Sequence, residues 1–269
     1  MNRWEGGLLG LVQGLTEFLP VSSTGHLVLV QELLGTRLQG ALVEALLHPG
    51  TVLAVLVNER GLLPGLVRQA VRLETWVSRR PPADPAESDL RSLLRFTAIS
   101  SAVTAVLYLP FRPWFDLWLE ATRVTAYGLL ITGFVLQSAR WFYRFPEQPI
   151  GGWTAVIMGV AQTIAIVPGI SRSGLTLVTG LALGIPRTHL VRYSFLMSVP
   201  VIAGGVLLEL LRTPLSPGLF SALSVGMILS LVSGWLAIRW ISAWVRNCRI
   251  HWFTPYVWAA GLAALWYFP

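Results

Sequence analysis

Apolar stretches long enough to cross a membrane recur along this chain, and they limit its fold more than any other feature. An α-helix needs about 20 apolar residues to span the hydrocarbon core of a bilayer. Such segments lie at about 6–34, 41–57, 93–109, 124–143, 153–183, 190–211, 219–241 and 252–268. Only 12% of the residues are charged, against about 25% in soluble domains. The sequence therefore predicts an all-α integral membrane protein and excludes an ordinary soluble enzyme.

The basic character of the chain fits membrane loops better than a nucleic-acid surface. All 20 basic residues are arginines and the net charge is +7, but they lie between the apolar segments and form no patch laced with aromatic residues. We therefore expect the lipid bilayer, and no nucleic acid, as a partner. The single cysteine, Cys248, excludes an internal disulfide.

Two apolar segments, 6–34 and 153–183, carry a proline and small polar residues at their centres. They also match each other at a constant offset of 149 residues. The matching pairs are Gly10 and Gly159, Gln13 and Gln162, Ser22 and Ser171, Thr24 and Ser173, Gly25 and Gly174, Leu34 and Leu183, and Gly35 and Gly184. The sequence thus predicts a single membrane domain over 1–269, built from two repeats at about 1–148 and 149–269.

The arginine distribution predicts that both interrupted segments enter and leave the membrane on the same side. Each half of such a segment is shorter than a span, and broken helices are tolerated where they line a cavity. If both re-enter, one side holds Arg60, Arg68, Arg72, Arg79, Arg80, Arg91, Arg95, Arg140, Arg144, Arg187, Arg192, Arg239, Arg246 and Arg249, and the other holds Arg3, Arg37, Arg112, Arg123 and Arg212. That split of 14 to 5 becomes 11 to 8 if both cross, so the positive-inside rule favours re-entry.

The predicted fold is therefore six transmembrane helices plus two re-entrant helix-break-helix segments. Three spans per half make the repeats inverted, as in many transporters, so that the two breaks meet near the midplane. Both termini then face outside, and the polar loop 58–89 faces the cytoplasm.

The first break combines an acid with a capped helix start. Gln13 and Glu17 are four residues apart and share one helix face, and a carboxylate inside a span is a functional candidate by default. After Pro20 the chain reads SSTGH. Hydroxyl residues cap helix N-termini, which attract anions such as phosphate. Ser23 and His26 are three residues apart, so both can address the same ligand.

The second break, PGISRSG at 168–174, repeats this construction and adds Arg172. A guanidinium binds phosphate oxygens in a bidentate manner, so the two breaks together predict a site for a phosphorylated ligand. A chain without lysine cannot form a P-loop, which argues against a nucleotide. Apolar walls around the site indicate a lipid phosphate.

Three further polar residues lie in spans. For Glu44 and Glu209 a structural role is the favoured interpretation. His48 either faces the site or is a hydrogen-bonded residue of its span.

The stretches QGLTEFLPVSSTGH at 13–26 and PGISRSG at 168–174 resemble the two signature motifs of the undecaprenyl-diphosphate phosphatase family, the bacitracin-resistance phosphatases. The resemblance implies hydrolysis of undecaprenyl diphosphate to undecaprenyl phosphate and inorganic phosphate. This reaction recycles the lipid carrier for cell-wall synthesis and confers bacitracin resistance. It also implies a site open to the periplasmic side of the bacterial plasma membrane and a divalent cation, Mg²⁺ or Ca²⁺.

Carried onto this chain, the family motifs assign two groups of site residues. The catalytic group is Glu17, Ser23, His26 and Arg172, with Glu17 also the metal ligand; the substrate-binding group is Gln13, Ser22, Thr24, Gly169, Ser171, Ser173 and Gly174. The first acidic position of the family is Gln13 here, which leaves Glu17 as the strong anionic ligand. Pro49, in the third segment, also departs from the common pattern.

Several alternatives stay open at this point. Ser23 is the expected nucleophile with His26 or Glu17 as its base, while His26 itself, or a water held by metal and Glu17, are rival nucleophiles. A lipid-phosphate flippase on the same inverted repeat is the alternative function. The lack of lysine excludes the motif of phosphatidic-acid phosphatases, and a homodimer is left open.

Overall fold

The computed structural model describes residues 1–36, 42–72, 75–76, 84–119, 121–213 and 217–267. Arg37, Arg79 and Arg80 of the arginine count lie outside this part. The helices are α1 (Arg3–Phe18), α2 (Ser23–Leu34), α3 (Leu42–Asn58), α4 (Leu63–Val71), α5 (Pro85–Leu119), α6 (Thr122–Phe142), α7 (Gly152–Ile164), α8 (Arg172–Ala182), α9 (Arg187–Leu210), α10 (Pro217–Arg246) and α11 (Thr254–Tyr267), with a 3₁₀ helix at Ile250–Phe253. The described residues form no strand, which confirms the all-α prediction.

Three helices are both long and apolar enough to cross a bilayer, namely α5, α9 and α10 within the described residues. Helices α3 and α4 would make a fourth candidate, bent by 99° at its break. With 14 residues, α11 reaches about 21 Å at a rise of 1.5 Å per residue, short of a hydrocarbon core of about 30 Å. The protein is thus a multi-pass membrane protein.

Both interrupted segments break where the proline and hydroxyl residues predict. Helix α1 ends at Phe18 and α2 begins at Ser23, while α7 ends at Ile164 and α8 begins at Arg172. The second break turns at Gly169, whose φ of +84° suits a residue without a Cβ atom. The first break instead places Ser22 at a φ of +70°, a costly conformation for a residue with a side chain. The surrounding packing must therefore hold Ser22 in place.

A stripe of small residues brings α1 into close contact with α10. Gly6, Gly10 and Gly14 repeat every four residues on one face of α1. A Cβ atom on Gly10 would lie 1.9 Å from the carbonyl oxygen of Gly226, so only glycine permits this approach. Small residues at such spacing are the usual means of close helix packing in membranes. The contact fixes the position of α1, which carries Gln13 and Glu17.

Helices at matching positions in the two halves pack in matching ways. Helix α1 packs against α10 of the second half, and α7 packs against α5 of the first. Helix α3 likewise packs against α10 and α9 against α5, while α6 packs against α11 and α3 against α9. The helix contacts of 1–148 thus have counterparts among those of 149–267.

The apolar core lies in two clusters. The larger includes Phe18 at the end of α1 and Phe195 in α9, whose rings are 5.0 Å apart. The smaller includes Leu9, Leu27 and Leu47. Because Phe18 is adjacent to Glu17 in sequence and wholly buried, the larger cluster anchors the helix end that presents this carboxylate.

Candidate active site

The two breaks lie against each other. The Ser173 hydroxyl donates a hydrogen bond to the carbonyl oxygen of Leu19 at 3.0 Å. A Cβ atom on Gly25 would lie 3.5 Å from the Cα atom of Gly169, and one on Gly174 would lie 3.3 Å from the Cβ atom of Pro20. Residues about 150 positions apart in sequence thus form one site.

Glu17 is the centre of this site. Its Oε1 atom forms an ion pair with Nη2 of Arg172. Its Oε2 atom accepts hydrogen bonds from the Ser23 hydroxyl at 2.5 Å and from Nε2 of Gln13 at 3.1 Å. The carboxylate is buried, and a buried charge needs such partners to offset its lost hydration. Four of the predicted residues therefore form a single hydrogen-bonded cluster.

A second carboxylate, Glu44 of α3, lies beside the first. Its Oε1 atom accepts a hydrogen bond from the Thr24 hydroxyl at 2.6 Å. His48 stands between the acids, with Nε2 at 3.9 Å from Glu17 Oε2 and 3.8 Å from Glu44 Oε1. Its Nδ1 lies 2.6 Å from the Glu44 carbonyl oxygen; because a carbonyl only accepts, Nδ1 carries a proton and donates it.

Sequence reasoning favoured a structural role for Glu44 and left His48 undecided, and the structure places both beside Glu17 in the lining of one cavity. The signal was present in their spacing, since residues four apart share a helix face and a charged residue in an apolar span has to face a polar partner. What the sequence lacked was the rotation of α3, which decides whether that face meets Glu17.

The second break is held by hydroxyl groups. Ser171 caps α8 by accepting a hydrogen bond from the Gly174 amide at 3.1 Å, and its own amide donates to the Thr132 hydroxyl at 2.9 Å. Thr132 in turn donates to the Gly169 carbonyl at 2.8 Å. Thr132, which sequence reasoning did not single out, thus ties the break to α6.

His26 points to a different neighbour from the other predicted residues. Its Nδ1 lies 2.8 Å from the Ser22 carbonyl oxygen and its Nε2 lies 2.7 Å from the Tyr256 hydroxyl. Because the carbonyl accepts, Nδ1 carries a proton and donates it, so in a neutral imidazole Nε2 accepts from the tyrosine hydroxyl. Ser22 itself caps α2 by accepting from the Gly25 amide at 3.3 Å. No hydrogen bond joins His26 to Ser23 or Glu17 among those described.

A cavity of about 200 Å³ opens onto the cluster. Its polar lining comes from both breaks and from α3, including Glu17, Ser23, Thr24, Glu44, His48, Ser171 and Arg172, and its apolar lining includes Ile166, Ile170 and Val201. Nη1 of Arg172 and Oε1 of Gln162 are buried there without a hydrogen-bond partner. A ligand with anionic oxygens would accept a hydrogen bond from Nη1 of Arg172, and an apolar body would contact the walls, whereas Gln162 Oε1 needs a hydrogen-bond donor or a cation.

The donor set around Glu17 suits a hard divalent cation in part. Mg²⁺ is commonly bound by one or two carboxylates together with substrate phosphate oxygens. Glu17 and Glu44 supply two carboxylates, and the buried Oε1 of Gln13 has no hydrogen-bond partner. In the described part of the chain, however, no three His, Cys, Asp or Glu side chains form a ready-made metal site. The residues therefore fit a cation that shares its ligands with a bound phosphate.

Comparison with known proteins gives a consistent family assignment. The family model for bacitracin resistance protein BacA matches residues 7–263. The undecaprenyl-diphosphatase of Korarchaeum cryptofilum is 38% identical over 96% of both chains, and that of Salinibacter ruber is 38% identical over 99% of both. Undecaprenyl-diphosphatase 2 of Bacillus thuringiensis is 31% identical over 96% of this chain and 95% of its own. The chain belongs to the bacitracin resistance protein BacA family.

Proposed function

We propose that the protein hydrolyses undecaprenyl diphosphate to undecaprenyl phosphate and inorganic phosphate. The observation that carries the proposal is the buried cluster of Glu17, Ser23 and Arg172 where the two breaks meet. The cluster combines a hydroxyl nucleophile, a carboxylate base and a phosphate-binding guanidinium. The name undecaprenyl-diphosphatase, shared by the similar proteins, supports the same reaction.

Arg172 and the starts of α2 and α8 bind the diphosphate in this proposal. Both helices begin at the cavity, so their free amide groups and positive dipole ends favour anionic oxygens. Nη1 of Arg172 is free to donate. When substrate enters, Nη2 releases the Glu17 carboxylate and donates to a phosphate oxygen instead. Phosphoryl transfer depends mainly on positioning and charge stabilisation, which this arrangement supplies.

Ser23 is the nucleophile and Glu17 its base. The Ser23 oxygen attacks the terminal phosphorus while its proton passes to Glu17 Oε2, 2.5 Å away. The bond from that phosphorus to the bridging oxygen breaks, and undecaprenyl phosphate leaves. Glu17 passes that proton to the leaving oxygen and then deprotonates the water that attacks the phosphoserine phosphorus. The bond from phosphorus to the Ser23 oxygen breaks, that oxygen regains its proton, and inorganic phosphate is released. The short distance between Ser23 and Glu17 favours Glu17 as the base over His26, which is hydrogen-bonded to Tyr256.

A divalent cation, Mg²⁺ or Ca²⁺, belongs to this proposal. Glu17 and Glu44 would hold it, with Gln13 Oε1 as a neutral oxygen donor. When bound, it neutralises charge on the diphosphate oxygens.

The proposed topology is six spans and two re-entrant segments in inverted repeats within the bacterial plasma membrane. The matching helix pairs of the two halves support it. A further cavity of about 150 Å³ shares Glu44 and His48 with the site and extends to the ion pair of Arg112 and Glu209. Arg112 belongs to the arginine-poor side, so this cavity supports an opening to the periplasm. The Glu209 pairing also fits its expected structural role.

Cysteine labelling tests this topology. In a Cys248→Ser background, Asn2→Cys should react with a membrane-impermeant maleimide in intact cells, because the N-terminus faces outside. Arg60→Cys and Arg246→Cys should react only after permeabilisation, since one span separates Asn2 from Arg60 if the first interrupted segment re-enters and two separate them if it crosses. Labelling of both Asn2→Cys and Arg60→Cys in intact cells, or of neither, would contradict the re-entrant segment and with it the inverted repeat.

A phosphate-release assay tests the activity and separates it from the flippase alternative. The purified protein in detergent should release phosphate from C55 diphosphate with Mg²⁺ or Ca²⁺, and a chelator should suppress the reaction. A transporter on this scaffold would release none. C15 diphosphate and a water-soluble diphosphate serve as the comparison, because apolar walls at the site favour a prenylated substrate.

A further inference from the structure

A separate cavity of about 270 Å³ lies where the ends of α3, α9 and α10 meet. Its polar lining includes Glu59, Arg187, Arg192, Arg239, Ser242 and Arg246. We call it the arginine cavity. It shares no lining residue with the cavity at Glu17, and the proposed reaction gives it no role.

The arginine cavity carries an excess of positive charge. Its lining has four guanidinium groups and one carboxylate. That carboxylate, Glu59, is 2.9 Å from Nε of Arg192, and Arg187 is directed toward Glu147 at 3.6 Å. Arg239 lies over the Trp235 ring at 4.8 Å, and both Arg239 and Arg246 are exposed. The cavity therefore has two exposed guanidinium groups, those of Arg239 and Arg246, that form no ion pair with a carboxylate of the described residues.

The position of the cavity favours a lipid headgroup over a dissolved anion. The α9 and α10 ends that line it belong to two of the apolar spanning helices, and Trp240, next to Arg239, is half exposed, as expected at the level of the headgroups. Apolar residues such as Val191 and Phe195 also line the cavity. Basic pockets between transmembrane helices commonly bind the headgroups of anionic lipids.

We propose that the arginine cavity binds the phosphate group of an anionic membrane lipid. Guanidinium groups bind phosphate oxygens in a bidentate manner, and α9 begins at Arg187, so the positive end of its dipole lies on this side. A concave site of this kind differs from the diffuse attraction of scattered loop arginines, because it holds one headgroup in a defined place.

Native mass spectrometry of the purified protein, titrated with phosphatidylglycerol or phosphatidylcholine, tests the proposal. We expect one phosphatidylglycerol to bind more tightly than phosphatidylcholine. In the variant Arg239→Gln/Arg246→Gln this affinity should fall by about fivefold per arginine, or about 1 kcal/mol each. Arg60→Gln/Arg144→Gln is the matched control, since it removes two exposed arginines that do not line the cavity.

A second variant gives the opposite sign and does not remove a cation. Glu59→Gln deletes the one carboxylate of the lining and releases Arg192, so phosphatidylglycerol should bind more tightly. Equal losses in the test and control pairs, or weaker binding in Glu59→Gln, would overturn the proposal. Displacement of the lipid by inorganic phosphate at similar concentration would overturn the lipid assignment and indicate a site for a soluble phosphate.

Discussion

Ser23→Ala should lower phosphate release by a factor on the order of 10⁴ or more, the size of loss seen when a hydrolase loses its nucleophile. The Ser23 hydroxyl lies 2.5 Å from the Glu17 carboxylate, where the two breaks meet. Binding of the lipid diphosphate should stay largely intact, because Arg172 and both helix starts remain. Turnover of C55 diphosphate and equilibrium binding of the same lipid, measured on one preparation, separate the two effects.

The neighbouring hydroxyls provide the controls for Ser23. Ser22→Ala removes a helix cap and Thr24→Ala removes one hydrogen bond to Glu44. The lost interaction is worth about 0.5–2 kcal/mol in each variant, so turnover should fall far less than in Ser23→Ala. If Ser23→Ala turns over no more slowly than these variants, Ser23 is not the nucleophile. Trapping of phosphohistidine would then identify His26, and its absence would point to water held by Glu17 and metal.

Glu17→Gln should lower turnover by about 10²–10⁴-fold, the usual contribution of a general base. The amide keeps nearly the same shape but cannot accept the Ser23 proton. It also leaves Arg172 without its carboxylate partner, so thermal unfolding in detergent should be measured together with activity. Glu17→Asp, which retains a carboxylate, should recover part of the lost turnover.

His26→Gln distinguishes the two candidate bases. His26 bonds to Ser22 and Tyr256, so its replacement should cost less turnover than Glu17→Gln. The reverse order, with His26→Gln the more damaging change, would show that His26 and not Glu17 takes the proton. A Glu17→Gln protein within about tenfold of normal turnover would be equally inconsistent with a general base.

Local chemistry along the chain was sufficient to predict the membrane class and the two helix breaks. Apolar side chains favour the bilayer over water, and about 20 of them in a row match the length of a spanning helix. The recurrence of such segments alone therefore predicted membrane helices. Pro20 and Pro168, each followed by a capping serine, predicted where one helix ends and the next begins. The structure has its breaks at these positions. Gln13, Glu17, Ser23 and Arg172 were identified for the same reason, since polar residues in mid-span need partners.

Only the tertiary structure decided which of these polar groups meet. The rotation of α3 places Glu44 and His48 beside Glu17. The position of α11 lets His26 form a hydrogen bond with Tyr256 and not with Ser23. Helix rotation and depth depend on close packing such as that of Gly10 against Gly226, between residues distant in sequence. A hydrogen bond forms only when donor and acceptor lie within about 3 Å, so partner choice depends on that packing and is absent from the local sequence.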